Sequence, residues 1–87
     1  MATVFVPKAL EASAGGIAEI EVEGATVRRV LDALAADHPG FVDAVLEDGE
    51  LRSDLALAVD GEISTVGLRA PLEPDSEVHF IPALAGG

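Results

Sequence analysis

The sequence predicts an α+β fold in which one main helix crosses one face of a mixed sheet of four or five strands. Three observations support this prediction. Alternating apolar residues, typical of strands, occur towards both ends of the chain, and a longer segment with helical spacing lies between them. The first two strand segments follow each other across a short loop, as in an antiparallel hairpin. With 87 residues, the chain can form one small domain around one core.

The predicted hairpin occupies the first quarter of the chain. Residues 3–6 alternate between two faces, and residues 17–23 alternate again with glutamates on the polar side. The loop between them contains Gly15-Gly16, which indicates a turn that needs unusual backbone angles. The side chains expected to face the core are Val4, Val6, Ile20 and Val22.

The main helix is predicted to follow Gly24-Ala25-Thr26, where the hydrophobic period changes from two to about 3.6 residues. Thr26 is a suitable N-cap because its hydroxyl can accept a hydrogen bond from the first turn. Pro39-Gly40 ends this helix, and a second helical turn follows before Asp48-Gly49. The predicted apolar residues are Val27, Val30, Leu31, Leu34 and Ala35 in the first helix, and Phe41, Val42, Val45 and Leu46 in the second.

The second half of the chain returns to strand patterns. Residues 55–59 alternate and enter an Asp60-Gly61 turn, after which 62–66 can form a short return strand. A turn-rich segment, 71–75, precedes a last strand over 77–81. The order of elements favours the roll of the β-grasp or ubiquitin-like fold. A split βαβ arrangement is the alternative, and the early hairpin argues against it. The inward side chains are expected to be Leu55, Leu57, Val59, Val78 and Phe80.

Composition restricts the partners and the chemistry. Sixteen acidic residues against five basic ones give a formal net charge of −11, which opposes binding to nucleic acids and to anionic membranes. We therefore expect partners with basic surfaces. The absence of cysteine excludes disulfides, thiolate zinc sites and a cysteine nucleophile. No signal peptide or membrane-spanning run is recognisable, so we expect a cytoplasmic protein.

Residues suited to catalysis are few. His38 precedes Pro39 at a helix end, where a histidine favours the negative end of the helix dipole. His79 lies on a separate element, and without an ordered acidic cluster we expect no metal site. Gly15-Gly16 lacks the lysine and hydroxyl of a phosphate-binding loop, and no Ser-His-Asp arrangement occurs. The chain is therefore predicted to be a substrate of enzymes and not an enzyme, with no bound cofactor.

The sheet face away from the helix is the candidate docking surface. It is apolar, consists largely of small residues and carries few charges, which favours binding of a partner protein. Phe5 and Ile81 are the expected anchors because they are its large apolar side chains. A face covered by a loop is the alternative. The residues predicted to form this surface are Phe5, Ala56, Ala58, His79 and Ile81.

The sequence finishes with Ala85-Gly86-Gly87. Such a diglycine is a chemical handle, because residues without a Cβ can lie extended in a narrow channel and leave the last carbonyl open to a nucleophile. A frayed end without a function is the alternative. We expect residues 1–82 to form the folded domain and residues 83–87 to form a flexible tail.

Together these features resemble the MoaD/ThiS family of ubiquitin-like sulfur carriers across essentially the whole chain. The most specific match is the segment 74–87, which is similar to the family ending D-x-V-x-(apolar)-x-P-x-x-(A/G)-G-G. The other matching features are the opening strand 3–7, the segment Gly24-Ala25-Thr26-Val27 ahead of Leu31, and Val59-Asp60-Gly61.

The resemblance implies a defined chemistry. An E1-like partner enzyme would use ATP to adenylate Gly87, and a sulfur donor would convert the adenylate into a thiocarboxylate. This group would then donate sulfur to a biosynthetic enzyme. Gly86 and Gly87 would form the attachment site, while Ala83, Leu84 and Ala85 would thread into the partner.

The resemblance leaves the pathway open. The spacing before the glycines is similar both to small subunits of molybdopterin synthase and to CysO, the carrier of a cysteine-synthesis branch. The shorter thiamine carrier fits less well because of Pro82 and the long turn. Two other functions remain alternatives, namely a protein modifier that forms isopeptide bonds through Gly87 and a subunit that binds its partner without covalent chemistry.

Overall fold

A five-stranded mixed sheet with helices on one face forms the protein, as seen in a computed structural model that describes residues 1–82. The predicted α+β architecture is thereby confirmed. Two 3₁₀ helices, Lys8–Ala14 and Gly67–Arg69, lie in the connections. The elements are β1 (Ala2–Phe5), β2 (Glu19–Val22), α1 (Val27–Asp37), α2 (Pro39–Val45), β3 (Leu46–Glu47), β4 (Glu50–Leu51), β5 (Leu55–Val59), β6 (Glu62–Ile63) and β7 (Glu77–Pro82).

The sheet has the strand order β2-β1-β7-β5-β6, so the last strand of the described chain lies at its centre. β1 and β2 form the predicted antiparallel hairpin. β7 runs parallel to β1 on one side and antiparallel to β5 on the other. The short strands β3 and β4 form a separate hairpin outside this sheet.

The ends of α1 lie where the sequence predicts them. The Oγ1 of Thr26 accepts a hydrogen bond of 3.3 Å from the backbone N–H of Arg29, which confirms the N-cap. At the other end, the N–H of His38 donates to the carbonyl of Leu34 at 2.7 Å, and Pro39 opens α2. No helix within residues 1–82 combines the length and apolar content needed to cross a membrane.

Both helices and one sheet face enclose a single apolar core. At its centre, the rings of Phe41 on α2 and Phe80 on β7 meet edge to face, 5.8 Å apart. Ile20, Val22, Leu55 and Val59 are only half-buried, although they pack against the same core. The predicted inward residues that are buried are Val4, Val6, Val27, Val30, Leu31, Leu34, Phe41, Val42, Val45, Leu57, Val78 and Phe80.

Several predicted details are wrong. Ala35 is exposed, because at about 100° per residue it lies roughly 80° around α1 from Val27, at the margin of the apolar stripe. Leu46 belongs to β3 and not to a helix. β2 begins at Glu19 because the 3₁₀ helix and its turn take up the preceding residues, and β6 ends at Ile63.

Candidate functional site

The central strand β7 leads directly into the candidate attachment site. Its first half lies between two neighbours, with Val78 beside Val4 of β1 and Val59 of β5. Its second half pairs with β5 alone, and the ladder ends where Pro82 lies opposite Leu55. The predicted attachment and threading residues, Ala83, Leu84, Ala85, Gly86 and Gly87, lie outside the described residues. The structure therefore describes only the strand that precedes them in the chain.

A hydrogen-bond cluster fixes the start of β7. One oxygen of Asp60 accepts from the N–H of Glu77 at 2.9 Å, and the other accepts from the hydroxyl of Ser76 at 2.8 Å. The same hydroxyl accepts from the N–H of Glu73 at 2.8 Å, and Ser76 is 1% exposed. The bonds from Glu77 and Ser76 lower the pKa of the Asp60 carboxyl below its usual value. The β5–β6 turn thus holds the start of the strand that precedes residues 83–87.

A groove of about 360 Å³ lies beside the other end of β7. Its walls come from the 3₁₀ helix after β1, from α2 and from the segment before β5. On the wall before β5, the Nε of Arg52 donates a hydrogen bond of 3.1 Å to Asp54, which lowers the pKa of that carboxyl. The lining residues are Ala9, Leu10, Ala44, Arg52, Asp54, Leu55 and Pro82.

The five residues predicted to form the docking surface lie on the same sheet face, opposite the helices. Cross-strand pairing aligns His79 with Phe5 on one side and with Ala58 on the other. In the next row, Ala56 lies opposite Ile81. Cross-strand partners project from the same face, so these residues form one continuous surface, the open face. Whether a partner binds there stays a prediction.

Side chains on the open face differ in how much of their surface is exposed to a partner. The rings of Phe5 and His79 stack in parallel with centroids 4.3 Å apart, which leaves both half-buried. Ala58 is only 5% exposed, so it contributes mainly shape. Ile81 is 43% exposed and is therefore the better placed of the two predicted anchors.

Sequence reasoning missed one member of the open face, Ile63. This residue pairs with Ala58 across the β5–β6 turn and is 60% exposed. Asp60 and Gly61 both have positive φ angles, 52° and 85°, as a two-residue hairpin turn requires. A two-residue turn fixes the register, so the Asp60-Gly61 signal could have placed Ile63 opposite Ala58.

Acidic residues border the open face on the β2 side and at the start of β7. Glu19 pairs with Phe5, while Thr3 lies between Glu21 and Glu77. The carboxylate of Glu77 is 3.6 Å from the Nε2 of His79. The surface therefore combines an apolar centre with a negative border, which suits a partner with an apolar centre and basic surroundings.

The two histidines of the described residues lie on separate elements. Within residues 1–82, no three His, Asp or Glu side chains come together in a way that could hold a metal ion. His38 joins α1 to α2, and His79 lies on the open face.

Comparison with known proteins gives a family match and several structural likenesses. The model of the ThiS family matches residues 6–87. The Amycolatopsis orientalis BexX/CysO complex contains a chain similar to this one, with 28% identity, a TM-score of 0.90 and full coverage of both chains. No curated protein sequence matches the chain.

Two further solved structures are similar. Small archaeal modifier protein 1 of Haloferax volcanii is 28% identical with a TM-score of 0.75, over 95% of this chain and 97% of that one. Mycobacterium tuberculosis CysO has a TM-score of 0.87, and the match covers 97% of this chain and 100% of that chain. At 24% identity, this likeness shows the fold alone. These likenesses confirm the predicted β-grasp fold.

Proposed function

The chain belongs to the ThiS family of ubiquitin-like sulfur carriers, and from this premise we propose that Gly87 carries sulfur as a thiocarboxylate. The observation that supports this most is the reach of the family match, which extends through the diglycine to residue 87. The fold agrees with it, because β7 is held at its start by the Asp60 cluster and leads toward residues 83–87 at its other end.

The proposed chemistry has two steps. An oxygen of the Gly87 carboxylate attacks the α-phosphorus of ATP, and pyrophosphate leaves. Hydrosulfide supplied by the sulfur donor then attacks the Gly87 carbonyl, a C–S bond forms, and AMP leaves with the former carboxylate oxygen, so that one carboxylate oxygen is replaced by sulfur and the remaining proton passes to solvent. Adenylation is needed because a free carboxylate has no adequate leaving group. The chain has no cysteine, which supports the carbonyl of Gly87 over a thiol side chain as the place that carries the sulfur.

The proposed partner enzyme docks on the open face. Ile63 and Ile81 provide the exposed apolar area, and the Phe5–His79 stack lies in the same cross-strand row as Ile63. The similarity to a chain in the BexX/CysO complex supports complex formation with a partner protein, and the likeness to CysO favours the cysteine branch over molybdopterin synthesis.

The test is a reaction with the activating enzyme of the same cell, ATP and a sulfur donor. The intact mass should rise by the difference between sulfur and oxygen, and the change should map to the C-terminal peptide. A chain lacking Gly86 and Gly87 should remain folded and unmodified. A Gly87 that stays a carboxylate with every activating enzyme of that cell would refute the proposal.

A second candidate, a protein modifier, draws on the likeness to small archaeal modifier protein 1. In this case an amine of a target protein, and not a sulfur donor, would attack the activated Gly87. Isolation of the chain from cells separates the two functions. Free thiocarboxylate supports the carrier, whereas branched peptides ending in Gly87 on target lysines support the modifier. A partner complex that works equally well without Gly86-Gly87 would support non-covalent binding.

A further inference from the structure

We propose that the free edge of β2 is a docking site of its own, at which a basic, extended segment of a partner protein adds to the sheet as a further strand. The segment that fits has lysine or arginine at every second position and β-branched apolar residues between them. This inference goes beyond the proposed function and does not depend on Gly87. Three observations carry it, namely the regular pairing of β2, the direction of its backbone groups and the charge along it.

β2 lies at one end of the strand order and, among residues 1–82, has β1 as its only neighbouring strand. All four of its residues pair in one continuous register, without a bulge that would turn the edge away. Natural sheets usually protect such an edge with lysine, proline or a bulge, and Glu19–Val22 contains none of these. The edge is therefore regular enough to accept another strand.

The alternation of hydrogen bonds shows which backbone groups β2 leaves free. The N–H of Val6 donates to the carbonyl of Ala18 at 2.7 Å, so this pair and every second pair along the hairpin exchange hydrogen bonds. Glu19 and Glu21 belong to the intervening pairs, and their N–H and C=O groups therefore point away from β1. The N–H of Thr3, which pairs with Glu21, agrees with this, because it donates away from β2 to the residue before β7 at 2.9 Å.

The two faces of β2 differ in chemistry. Glu19 and Glu21 are exposed on the side of the open face, where Glu19 lies beside Phe5. Ile20 and Val22 pack against the core on the helix side and are only half-buried, with no strand beyond them within residues 1–82. An added antiparallel strand would place alternate residues directly opposite the two glutamates and would cover the two apolar side chains with the residues between.

Charge selects the kind of strand that can bind. A second copy of this chain brings the same glutamates and a net charge of −11, and like charges directly opposite each other destabilise a strand pair. Basic residues opposite Glu19 and Glu21 form cross-strand ion pairs instead. The backbone groups of the same two residues supply the hydrogen bonds of strand addition. The β2 edge therefore favours a basic segment and disfavours self-association.

The test uses the full chain and a capped synthetic peptide in which lysine and valine alternate. Titration followed by nuclear magnetic resonance should show saturable binding. Exchange of the amide hydrogens of Glu19 and Glu21 should slow on binding, whereas those of Ile20 and Val22 already bond to β1 and should change little. The reaction contains neither ATP nor an activating enzyme, so a failure here leaves the proposed function of Gly87 standing, and a success is independent of it.

Two modified peptides separate strand addition from attraction between charges. N-methylation of the lysine amides, which face β2 in the expected register, should abolish binding. N-methylation of the valine amides leaves the charge and the hydrogen bonds to β2 unchanged, so this peptide should still bind. Equal binding of the two methylated peptides would overturn the inference, because backbone pairing would then contribute nothing.

Matched variants of the chain test the role of charge. Glu19→Gln combined with Glu21→Gln should weaken binding of the lysine–valine peptide about fivefold, because two cross-strand ion pairs are lost while the edge is kept. Glu47→Gln combined with Glu50→Gln removes the same charge from the β3–β4 hairpin and should change the affinity less than about twofold. An equal effect of the two pairs would contradict the proposed ion pairs.

Two further outcomes would assign the peptide or the edge differently, and either would overturn the inference. Resonance shifts confined to Ile63 and Ile81 would place the peptide on the open face. Slow amide exchange at Glu19 and Glu21 without peptide, increasing with protein concentration, would identify a second copy of the chain as the occupant of the β2 edge.

Discussion

Ile81 is the single residue from which the open face can be tested most directly. It lies on β7 opposite Ala56, is 43% exposed and does not belong to the apolar core. We expect Ile81→Asp to retain the parent thermal midpoint, because the change leaves the core intact. Activation of Gly87 should slow about tenfold or more, since loss of a central apolar anchor typically costs over ~1.4 kcal/mol of binding.

Val66 provides a matched control for this substitution. It is also 43% exposed but lies after β6 and outside the sheet, so Val66→Asp should change neither folding nor activation. Steady-state activation at limiting enzyme measures the effect, and circular dichroism monitors folding. Unfolding of Ile81→Asp would show that its side chain is needed by the core, and parent-like activation would place docking elsewhere.

At Asp60, a carboxylate in a turn makes stability depend on pH. Its pKa is lowered in the folded state by the bonds from Glu77 and Ser76, so the stabilisation is present above the unfolded pKa and is lost as pH falls through the folded pKa. Asp60→Asn keeps a residue that tolerates positive φ but removes the charge. We expect this variant to be less stable than the parent near neutral pH.

Urea denaturation across pH measures the effect. The difference in unfolding free energy between parent and Asp60→Asn should shrink as pH falls below about 4, where carboxylates become protonated. Asp75→Asn serves as the control because Asp75 is an exposed carboxylate outside this cluster. A difference that stays constant from neutral to acid pH would show that the charge of Asp60 contributes nothing.

At the scale of elements, Gly24 allows the chain that follows β2 to pass close to α1. A Cβ at this position would lie 2.7 Å from the Cγ2 of Val30 and 2.8 Å from its backbone nitrogen. To relieve this clash, the backbone of α1 would have to move away from β2, and its buried side chains would lose contacts with the core. We expect Gly24→Ala to lower the free energy of unfolding by about 1–3 kcal/mol, the usual cost of overpacking.

Gly16→Asn is the matched control, since Gly16 has open space around it and asparagine tolerates its positive φ. Its effect should stay within about 0.5 kcal/mol, as for most surface changes. Both values come from urea denaturation at one pH. Equal stability of Gly24→Ala and the parent would mean that α1 can move away from β2.

Individual elements differed in how well the sequence predicted them. β1, α1, β5 and β7 were predicted because each has a clear apolar period. The β3–β4 hairpin was missed, because Leu46 continues the helical spacing of Phe41, Val42 and Val45 and the strands are two residues long. The deciding signal is Asp48-Gly49: its φ angles of 54° and 80° form a hairpin turn, whereas in the sequence the same pair after an apolar helical run indicates a helix end.

For the whole molecule, the charge of −11 governs encounter with partners. Glu19, Glu21 and Glu77 border the apolar centre of the open face and should attract a basic partner over a distance of about one Debye length, ~10 Å at 0.1 M salt. We expect the association rate with the activating enzyme to fall as salt rises, with a smaller change in the dissociation rate.

Stopped-flow binding at several salt concentrations measures both rates. Glu19→Gln combined with Glu21→Gln should flatten the salt dependence, because two of the bordering charges are removed without altering the apolar centre. The control is Glu47→Gln combined with Glu50→Gln, which removes the same amount of charge from the β3–β4 hairpin, outside the sheet. A salt dependence equal in all three proteins would exclude steering by this border.

The overall topology was only partly predictable. The alternation shows which side chains face inward, but a period of two is the same for parallel and antiparallel neighbours. β7 pairs with β1 and β5, which are far from it in the sequence. This order arises because the strands must together cover one core beneath α1 and α2, which no local pattern reveals. The same limit applies to the open face: alternation within each strand assigns Phe5, Ala56, Ala58, His79 and Ile81 to one face, whereas only the pairing of β6 with β5 adds Ile63.

The central place of β7 also has a consequence for biosynthesis of the chain. β1 leaves the ribosome first and β7 last among the described strands, yet the two must pair before the sheet is complete. The nascent hairpin β1–β2 and helix α1 therefore have no finished sheet to pack on until residue 82 has been translated. A polypeptide whose synthesis stops early lacks both the middle of its sheet and the terminal glycines. Cellular degradation of unfolded chains would then remove it before it could compete for an activating enzyme.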